Sequence, residues 1–379
     1  MILKNGLVMD ENFSLRKCDV QIENGLITAL SDNLTGDTAI DMTGRYILPG
    51  FIDSHMHGAM GCKISDRNPL PDFNRITRYE ASQGVTSIAI STVCCEYEHL
   101  LVQIDLAVQA AKHTEGAKIA AIHAEGPFIN PAKKGAMDEK SILSPSSEQL
   151  EQFIAHGQGL LRLITLAPEM DGALDTIALA VQKGLTVSMG HTDATYEEAK
   201  ATIDAGATQS THTFNAMRAL SHREPGVLGA ALTDPRVTCE MICDHTHLHP
   251  AILKLIYQIK GADKINIISD SEHGAGLTQS EIVVDGEVRY IRDGVMRLKD
   301  GTIAGSASSM LYGIQNLLRD GFPLTDVSKM ASLNPAKTLK IDHLTGSIQA
   351  GKAADLVILD NNYNVLATYV DGVCVYKGE

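Results

Sequence analysis

Eight short apolar runs, separated by stretches with helical periodicity, place the strongest limit on how this chain can fold. Runs that are apolar throughout, instead of alternately apolar and polar, are typical of parallel strands buried on both faces. The runs are Tyr46–Ile52, Val85–Thr92, Lys118–His123, Leu161–Leu166, Leu185–Met189, Gln209–His212, Val237–Cys243 and Lys264–Ile268. Helical patterns lie between them, at Glu96–His113, Ser147–His156, Tyr196–Ala205 and Pro250–Lys260. Eight strand–helix units predict an α/β fold of the (β/α)8 barrel type, since a doubly wound sheet of five units would leave three strands unexplained.

The two ends of the chain resemble each other and differ from its middle. Asn5-Gly6 and Asn24-Gly25, between alternating apolar residues, are typical hairpin turns, and Ala354–Leu359 and Tyr369–Val375 predict further strands. Neither end has enough strand to bury a core alone. We therefore expect residues 1–48 and 345–379 to pair into one small β domain, with a barrel of residues 49–344 inserted between them.

The composition of the chain limits the kinds of partner that it can bind and indicates the compartment in which it is found. Asp and Glu outnumber Lys and Arg by 46 to 32, a net charge of −14 that disfavours nucleic acid but leaves room for a small anionic substrate. No apolar run approaches the ~20 residues of a membrane span, so no membrane is expected. Seven cysteines without a C-x-x-C pair indicate free thiols in a reducing compartment, which predicts a cytoplasmic protein.

Residues that can bind a metal follow the ends of the predicted strands. They are His55, His57, Glu125, His191, His212 and Asp270. The carboxyl ends of barrel strands share one rim, so these side chains are expected to converge there. Taken singly, each has another explanation: His-x-His is a weak motif, Glu125 suits a loop, and Asp270 suits a turn cap. Taken together, nitrogen and oxygen ligands without thiolate predict a site for Zn²⁺, Fe²⁺, Mn²⁺ or Co²⁺.

Several motifs resemble those of a known family. Pro49–Gly58 is similar to the opening signature of the amidohydrolase superfamily, which comprises metal-dependent barrels flanked by a β-sandwich made of both termini. Four further motifs together resemble the N-acetylglucosamine-6-phosphate deacetylases within it: His123–Phe128, Gly190–Thr192, Phe214–Met217 and Arg223–Gly226. The resemblance covers essentially the whole chain and implies removal of the acetyl group from a phosphorylated amino sugar.

The resemblance also implies a role for each matching residue. Glu125, His191 and His212 would hold a divalent metal, and His55 and His57 a second one bridged by Glu125, so that each subunit carries one or two. Asp270, beside the metal, would act as catalytic acid and base, and His247 would polarise the acetyl carbonyl. Substrate contacts would come from Ala136, Asn215, Ala216, Arg223, His247, Ile303, Ala304 and Gly305. Arg223 would bind the phosphate across the interface of a homodimer.

Three points stay open at the level of sequence. The substrate could be the N-acetylgalactosamine epimer, or the protein another amidase of the superfamily, and a metal-free scaffold or sensor is the alternative outside enzymes. The family usually follows its catalytic Asp with small residues, whereas Glu272 and His273 stand here, and Met137 replaces a polar residue. The stretch from Glu281 to Gly301 predicts a β-hairpin excursion that is either a lid or substrate wall, or plain decoration.

Overall fold

The structure, a computed structural model, describes residues 1–36, 38–64, 69–284 and 286–378, and of residues 69–71 it describes only the backbone. In chain order the strands are β1 Ile2–Met9, β2 Leu15–Glu23, β3 Leu26–Ser31, β4 Ala39–Asp41, β5 Tyr46–Pro49, β6 Phe51–Met56, β7 Gly58–Ala59, β8 Cys62–Lys63, β9 Val85–Ser91, β10 Lys118–Glu125, β11 Leu161–Leu166, β12 Thr186–Met189, β13 Gln209–Ser210, β14 Thr238–Ile242, β15 Ile265–Ile268, β16 Glu281–Val284, β17 Glu287–Arg292, β18 Val295–Arg297, β19 Ile303–Ser306, β20 Leu356–Leu359, β21 Val365–Val370 and β22 Val373–Lys377. The α-helices are α1 Pro69–Ser82, α2 Tyr97–Ala110, α3 Ser147–Gly157, α4 Ala173–Gln182, α5 Tyr196–Asp204, α6 Gly226–Thr233, α7 Pro250–Lys260, α8 Met310–Arg319, α9 Leu324–Ala331 and α10 Leu333–Thr338. None of the helices in these described ranges combines the length and the apolar character that a membrane span requires.

Eight parallel strands form the barrel, which confirms the predicted fold class. Their order is β6, β9, β10, β11, β12, β13, β14 and β15, each hydrogen-bonded to the next. The first and last strands meet where the backbone N–H of Asp270 donates to the carbonyl of His55 at 2.9 Å. Every residue of β6, β9 and β15 is buried, as expected of strands covered on both faces. This closure brings the carboxyl ends of all eight strands to one rim.

The strands at the two ends of the chain build a separate small domain. They pair in the order β22, β21, β20, β5, β1, β2 and β3, with β4 on β1. Its own apolar core includes Leu3, Val20, Ile47, Leu356 and Ile358, so both ends of the chain contribute to it. A β domain made from both termini was the prediction, and the pairing of β20 with β5 joins them directly.

The predicted strand Tyr46–Ile52 is in fact two strands in two different sheets. β5 pairs with β20 in the terminal domain, whereas β6 pairs with β9 in the barrel. The chain changes sheets at Gly50, whose N–H donates to Asp355, while the next N–H, of Phe51, donates to Gly84. A side chain at Gly50 would place its Cβ 2.2 Å from Thr86 Cγ2, so only glycine allows this close approach.

Of the two predicted hairpin turns near the start of the chain, one is confirmed and one is wrong. Asn24 and Gly25 connect β2 and β3 and both have positive φ, at 50° and 81°, as a tight hairpin turn requires. Asn5-Gly6, by contrast, lies inside β1, where the pairing with β2 shifts register between Leu3 and Gly6. The hairpin prediction at Asn5 was therefore wrong, because a β-bulge uses the same left-handed residue as a turn.

The predicted excursion after the eighth barrel strand is a small sheet of four antiparallel strands, β16 to β19. Val284, Arg289 and Met296 line the cavity at the mouth of the barrel together with residues of β19. The excursion therefore forms a wall of that cavity and is not mere decoration. Asp285, in its first predicted turn, lies outside the described residues.

Candidate active site

Five buried metal-competent side chains meet at the carboxyl ends of the barrel strands. His55 and His57 come at the end of β6, and Glu125 is the last residue of β10. His191 and His212 follow β12 and β13 by two residues each. All five are at most 6% exposed, so their polar atoms face one another instead of water. Asp270 joins them two residues after β15.

The carboxylate of Glu125 is the centre of the cluster. Its Oε1 lies 3.3 Å from His55 Nε2, 3.3 Å from His191 Nε2 and 3.1 Å from His212 Nε2. Its Oε2 lies 3.0 Å from His57 Nε2. Two ligand groups result, His55 with His57 and His191 with His212, and they share Glu125.

Hydrogen bonds on the far side of the rings fix which nitrogen faces the cluster. The Nδ1 of His191 lies 2.8 Å from the carbonyl oxygen of Lys133, and the Nδ1 of His212 lies 3.2 Å from that of Asn215. A carbonyl oxygen can only accept, so both Nδ1 atoms carry a proton. An imidazole that binds a metal does so as the neutral ring, and in that form the Nε2 atoms of both rings carry lone pairs.

Those lone pairs point at one another. The two Nε2 atoms lie 3.1 Å apart, and both approach the same carboxylate oxygen of Glu125. Acceptors that converge in a buried space repel unless a cation lies between them. The donor set, imidazole nitrogen and carboxylate oxygen without thiolate, therefore fits a divalent metal ion.

The shifted pKa values of His57 and Asp270 show that the cluster favours positive charge. Burial lowers the pKa of His57, but its hydrogen bond to Asp270 and the carboxylate of Glu125 outweigh burial and raise that pKa to about 10. Burial raises the pKa of Asp270, whereas the charge of His55 and the hydrogen bond from His57 bring it down to about 2. Asp270 is thus ionised at neutral pH.

The sequence analysis missed one residue of this centre, Glu240. It is fully buried on β14, and its Oε2 lies 3.1 Å from His55 Nδ1. The same oxygen accepts from the backbone N–H of His212, while Oε1 accepts from Gln209 at 2.6 Å. Glu240 therefore holds His55 with its Nε2 turned to Glu125. A glutamate in the middle of the apolar run Val237–Cys243 was the available signal.

Comparison with known proteins places this geometry in a family. The model of the amidohydrolase family matches residues 46–375. The chain belongs to the amidohydrolase family.

Two curated relatives of this amidohydrolase cover most of the chain. An N-acetylglucosamine-6-phosphate deacetylase of Vibrio furnissii is 34% identical over 93% of this chain and 89% of that protein. An N-acetylgalactosamine-6-phosphate deacetylase of Escherichia coli O157:H7 is 32% identical over 98% of both chains. The family resemblance predicted from the motifs is confirmed.

A solved relative has nearly the same fold over its whole length. It is a mutant N-acetyl-D-glucosamine-6-phosphate deacetylase of Mycobacterium smegmatis in complex with N-acetyl-D-glucosamine 6-phosphate. The two structures superpose with a TM-score of 0.91 at 32% identity, covering 100% of this chain and 99% of that one.

In this amidohydrolase the barrel mouth opens into a cavity of about 450 Å³. The predicted substrate-contact residues that line it are Ala136, Asn215, Ala216, His247, Ile303, Ala304 and Gly305. Met137, where the sequence departs from the family, lines it too. Arg223 does not: it is exposed in the loop before α6, outside the lining of the cavity. The chain by itself therefore assembles every predicted contact except Arg223.

His247 enters the cavity with a fixed orientation. Its Nδ1 lies 2.7 Å from Oδ2 of Asp244, whose other oxygen accepts from the backbone N–H of His247 at 2.8 Å. Burial raises the pKa of Asp244, but the hydrogen bonds from His247 outweigh it and the pKa is lowered. A carboxylate can only accept, so Nδ1 of His247 carries a proton and the ring is held in one orientation; in an imidazolium ring Nε2 carries a proton too and can donate.

Proposed function

We propose that this protein is a metal-dependent hydrolase that removes the acetyl group from N-acetyl-D-glucosamine 6-phosphate, giving D-glucosamine 6-phosphate and acetate. The observation that carries the proposal is the buried convergence of four imidazoles and Glu125 beside an ionised Asp270, in a chain related to deacetylases over nearly its full length. We place this reaction in cytoplasmic amino-sugar breakdown.

The metal would be held by residues already in position. Glu125, His191 and His212 form one set of ligands, and His55 and His57 form a second set around the same Glu125. A divalent metal at such a centre makes hydroxide available near neutral pH and polarises a carbonyl oxygen. Zn²⁺, Fe²⁺, Mn²⁺ and Co²⁺ all suit these donors.

The chain's own residues move the protons. Asp270 accepts a proton from the water whose oxygen bonds to the acetyl carbon. His247 donates a hydrogen bond from Nε2 to the acetyl oxygen as negative charge develops there. Asp270 then returns the proton to the amide nitrogen while the C–N bond breaks, so that acetate and the free amine leave.

The phosphate of the substrate is the proposed partner of Arg223. Its planar guanidinium suits a phosphate, and its position outside the cavity of its own chain agrees with action across a homodimer. Mixing Arg223→Ala subunits with Asp270→Asn subunits tests this. Mixed dimers should recover activity at one site, and no recovery would contradict a shared site.

Acetate release from four sugars tests the proposed reaction. Metal-loaded protein is assayed with N-acetylglucosamine and N-acetylgalactosamine, each with and without the 6-phosphate. We expect turnover only of phosphorylated N-acetylglucosamine. The relative from Escherichia coli O157:H7 gives specific support to the galactosamine epimer as a second candidate, and turnover of that sugar alone would select it. No turnover of any sugar would overturn the deacetylase proposal.

The number of metals is tested separately. After purification without chelators, we expect two metal ions per subunit, because both ligand sets are intact. A firm value of one in the wild type, unchanged in a His57→Gln variant, would remove the second site.

A further inference from the structure

Two polar side chains in the wall of the cavity have no part in the mechanism above. Glu272 and His273 both line the cavity, directly after the strand end that carries Asp270. The Nδ1 of His273 lies 2.8 Å from Oε2 of Glu272, and the two side chains are only 9% and 19% exposed. They form a largely buried imidazole–carboxylate pair.

The backbone holds this pair in a fixed place. The N–H of Glu272 donates to Ser306 at 2.9 Å, and the N–H of Ser306 donates to Asp270 at 2.9 Å. Ser271 bridges Met56 on one side and Ser306 on the other, so the segment is paired like a strand between the barrel and the excursion sheet. Glu272 is therefore positioned by the same network as the catalytic Asp270.

Glu272 also packs directly on the substrate wall formed by β19. A Cβ on Gly305 would lie 2.5 Å from Glu272 Cγ, so the carboxylate side chain fills the space that a side chain at position 305 would need. Because Gly305 is one of the predicted sugar contacts, Glu272 lies beside the sugar.

The pair has hydrogen-bonding capacity that the chain does not use. Within the described residues, the one hydrogen bond of the Glu272 carboxylate is the one that its Oε2 accepts from His273, so Oε1 has no partner in a side chain that lines the cavity. A carboxylate oxygen of this kind is available to a donor on a ligand. Nε2 of His273, by contrast, is enclosed by the protein, so His273 holds Glu272 in place and does not itself reach the ligand.

The chemistry of the pair selects the kind of group it can bind. Oε1 of Glu272 is a carboxylate oxygen and can only accept, while Oε2 is held by Nδ1–H of His273. Such an acceptor repels a phosphate and matches a hydroxyl group that donates. Asp270, two residues earlier, must reach the amide nitrogen on carbon 2 of the sugar, so the hydroxyls nearest to the pair are those on carbons 1 and 3.

We propose that Glu272 is a substrate-contact residue whose Oε1 accepts a hydrogen bond from one of the ring hydroxyls flanking the acetamido carbon, and that His273 is a positioning residue that holds this carboxylate. The inference rests on the proposed function, since it needs an N-acetyl amino sugar in the cavity. This contact would help to determine substrate specificity. It is anionic, whereas the proposed phosphate contact, Arg223, is cationic.

The test removes either the hydroxyl or its partner. kcat/KM is measured for N-acetylglucosamine 6-phosphate and for its 1-deoxy and 3-deoxy analogues, in the wild type, His273→Phe and Glu272→Gln. A hydrogen bond to a charged group is worth about 10- to 100-fold, so the wild type should lose that much on at least one deoxy analogue. Glu272→Gln, which keeps the shape of the side chain but not its charge, should lose most of that factor on the full sugar and show little further loss on that analogue. His273→Phe should show the same pattern with a smaller loss, because it removes only the donor that holds the carboxylate.

A matched control is His156→Phe, which removes an imidazole–carboxylate pair with Asp105 (Nδ1 to Oδ1 2.9 Å) that lies away from the cavity. It should discriminate among the three sugars as the wild type does. If His273→Phe and Glu272→Gln also keep the wild-type discrimination, the pair does not contact the hydroxyls. Glu272→Gln carries the same test should His273→Phe fail to fold.

A binding measurement separates this inference from the proposed reaction. The affinity of the metal-loaded protein for D-glucosamine 6-phosphate, measured by calorimetry, should fall about 10-fold in Glu272→Gln, whatever the turnover. Wild-type protein that binds the amine product but releases no acetate would contradict the reaction, while a fall in affinity in Glu272→Gln would still support the contact. Wild-type protein that does neither would overturn both.

Discussion

Two charged clusters in this molecule, each built around a buried carboxylate, have opposite characters. In the one at the barrel mouth, imidazole lone pairs and the Glu125 carboxylate face one another. In the other, between β10 and the terminal domain, Lys118 Nζ lies 2.8 Å from Asp355 Oδ2 and 2.8 Å from Asp371 Oδ1. Thr345 donates to Asp355 as well, at 2.7 Å. The second cluster is complete within the chain, whereas the first needs a cation from outside. The charges of the second cluster balance one another and connect the two domains. The charges of the first cluster are not balanced within the chain, and this imbalance marks the candidate site.

The largest expected effect comes from Asp270→Asn at the incomplete cluster. The amide keeps the shape of the side chain but cannot carry the proton, and positioned acid–base groups are worth about 10²- to 10⁴-fold. We expect kcat to fall by that factor while metal content and thermal stability are unchanged. Activity above about a tenth of the wild-type value would contradict the assignment of Asp270.

The next effect concerns stability and comes from Lys118→Met at the complete cluster. The carboxylate of Asp355 is fully buried, and losing its cation should lower the free energy of unfolding by about 3 kcal/mol. Chemical denaturation measures the loss, and kcat per folded molecule should not change. The control is Lys200→Met, whose partner Asp204 is 56% exposed, and its loss should be much smaller than that of Lys118→Met because solvent screens this pair. Equal losses in the two variants would show that burial of the carboxylate does not set the cost.

Glu240→Gln tests how much Glu240 contributes to the metal affinity of the cluster at the barrel mouth. Residues that orient metal-binding imidazoles are typically worth 10- to 100-fold in metal affinity, so the variant should bind metal weaker by about that factor. Competition with a chelator measures it. Glu80→Gln is the control, because Glu80 is equally buried but its carboxylate makes no hydrogen bond within the described residues. Unchanged metal affinity in Glu240→Gln would reduce Glu240 to a packing role.

The smallest effect is expected from Thr345→Val. It removes one neutral donor from Asp355 but leaves Lys118 in place, so unfolding should become easier by about 1 kcal/mol. Differential scanning calorimetry resolves such a change. A loss as large as that of Lys118→Met would mean that the hydroxyl, and not the ammonium group, is the main partner of Asp355.

The barrel could be predicted because its strands are apolar along their whole length. Leu161–Leu166 was placed at its observed bounds, and six other barrel strands differ from the predicted runs by one or two residues at one or both ends. The exception is β6, which begins five residues after the predicted start at Tyr46. Such runs reveal burial on both faces, but they do not reveal the sheet to which a strand belongs. That is why Tyr46–Ile52 was taken as one strand, although its two halves pair with β20 and β9.

The candidate site was predictable to the extent that its residues follow strand ends. His55, His57, Glu125, His191 and His212 could be found in this way, because a barrel brings strand ends together. Glu240 and Asp244 act through other side chains, and their partners His55 and His247 are set by the tertiary structure. Their roles became visible only through the distances.

The terminal sheet has a consequence for the order in which the protein matures. β5 lies between β1 and β20, and about 300 residues separate β5 from β20 along the chain. A ribosome adding about 5–20 residues per second needs roughly 15–60 s to cover that distance. Throughout that interval one edge of β5 is without its neighbour, and such edges readily pair with other chains. Completion of the smaller domain is therefore a late event of synthesis, and a chaperone that shields β5 would act on the nascent chain before the barrel is finished.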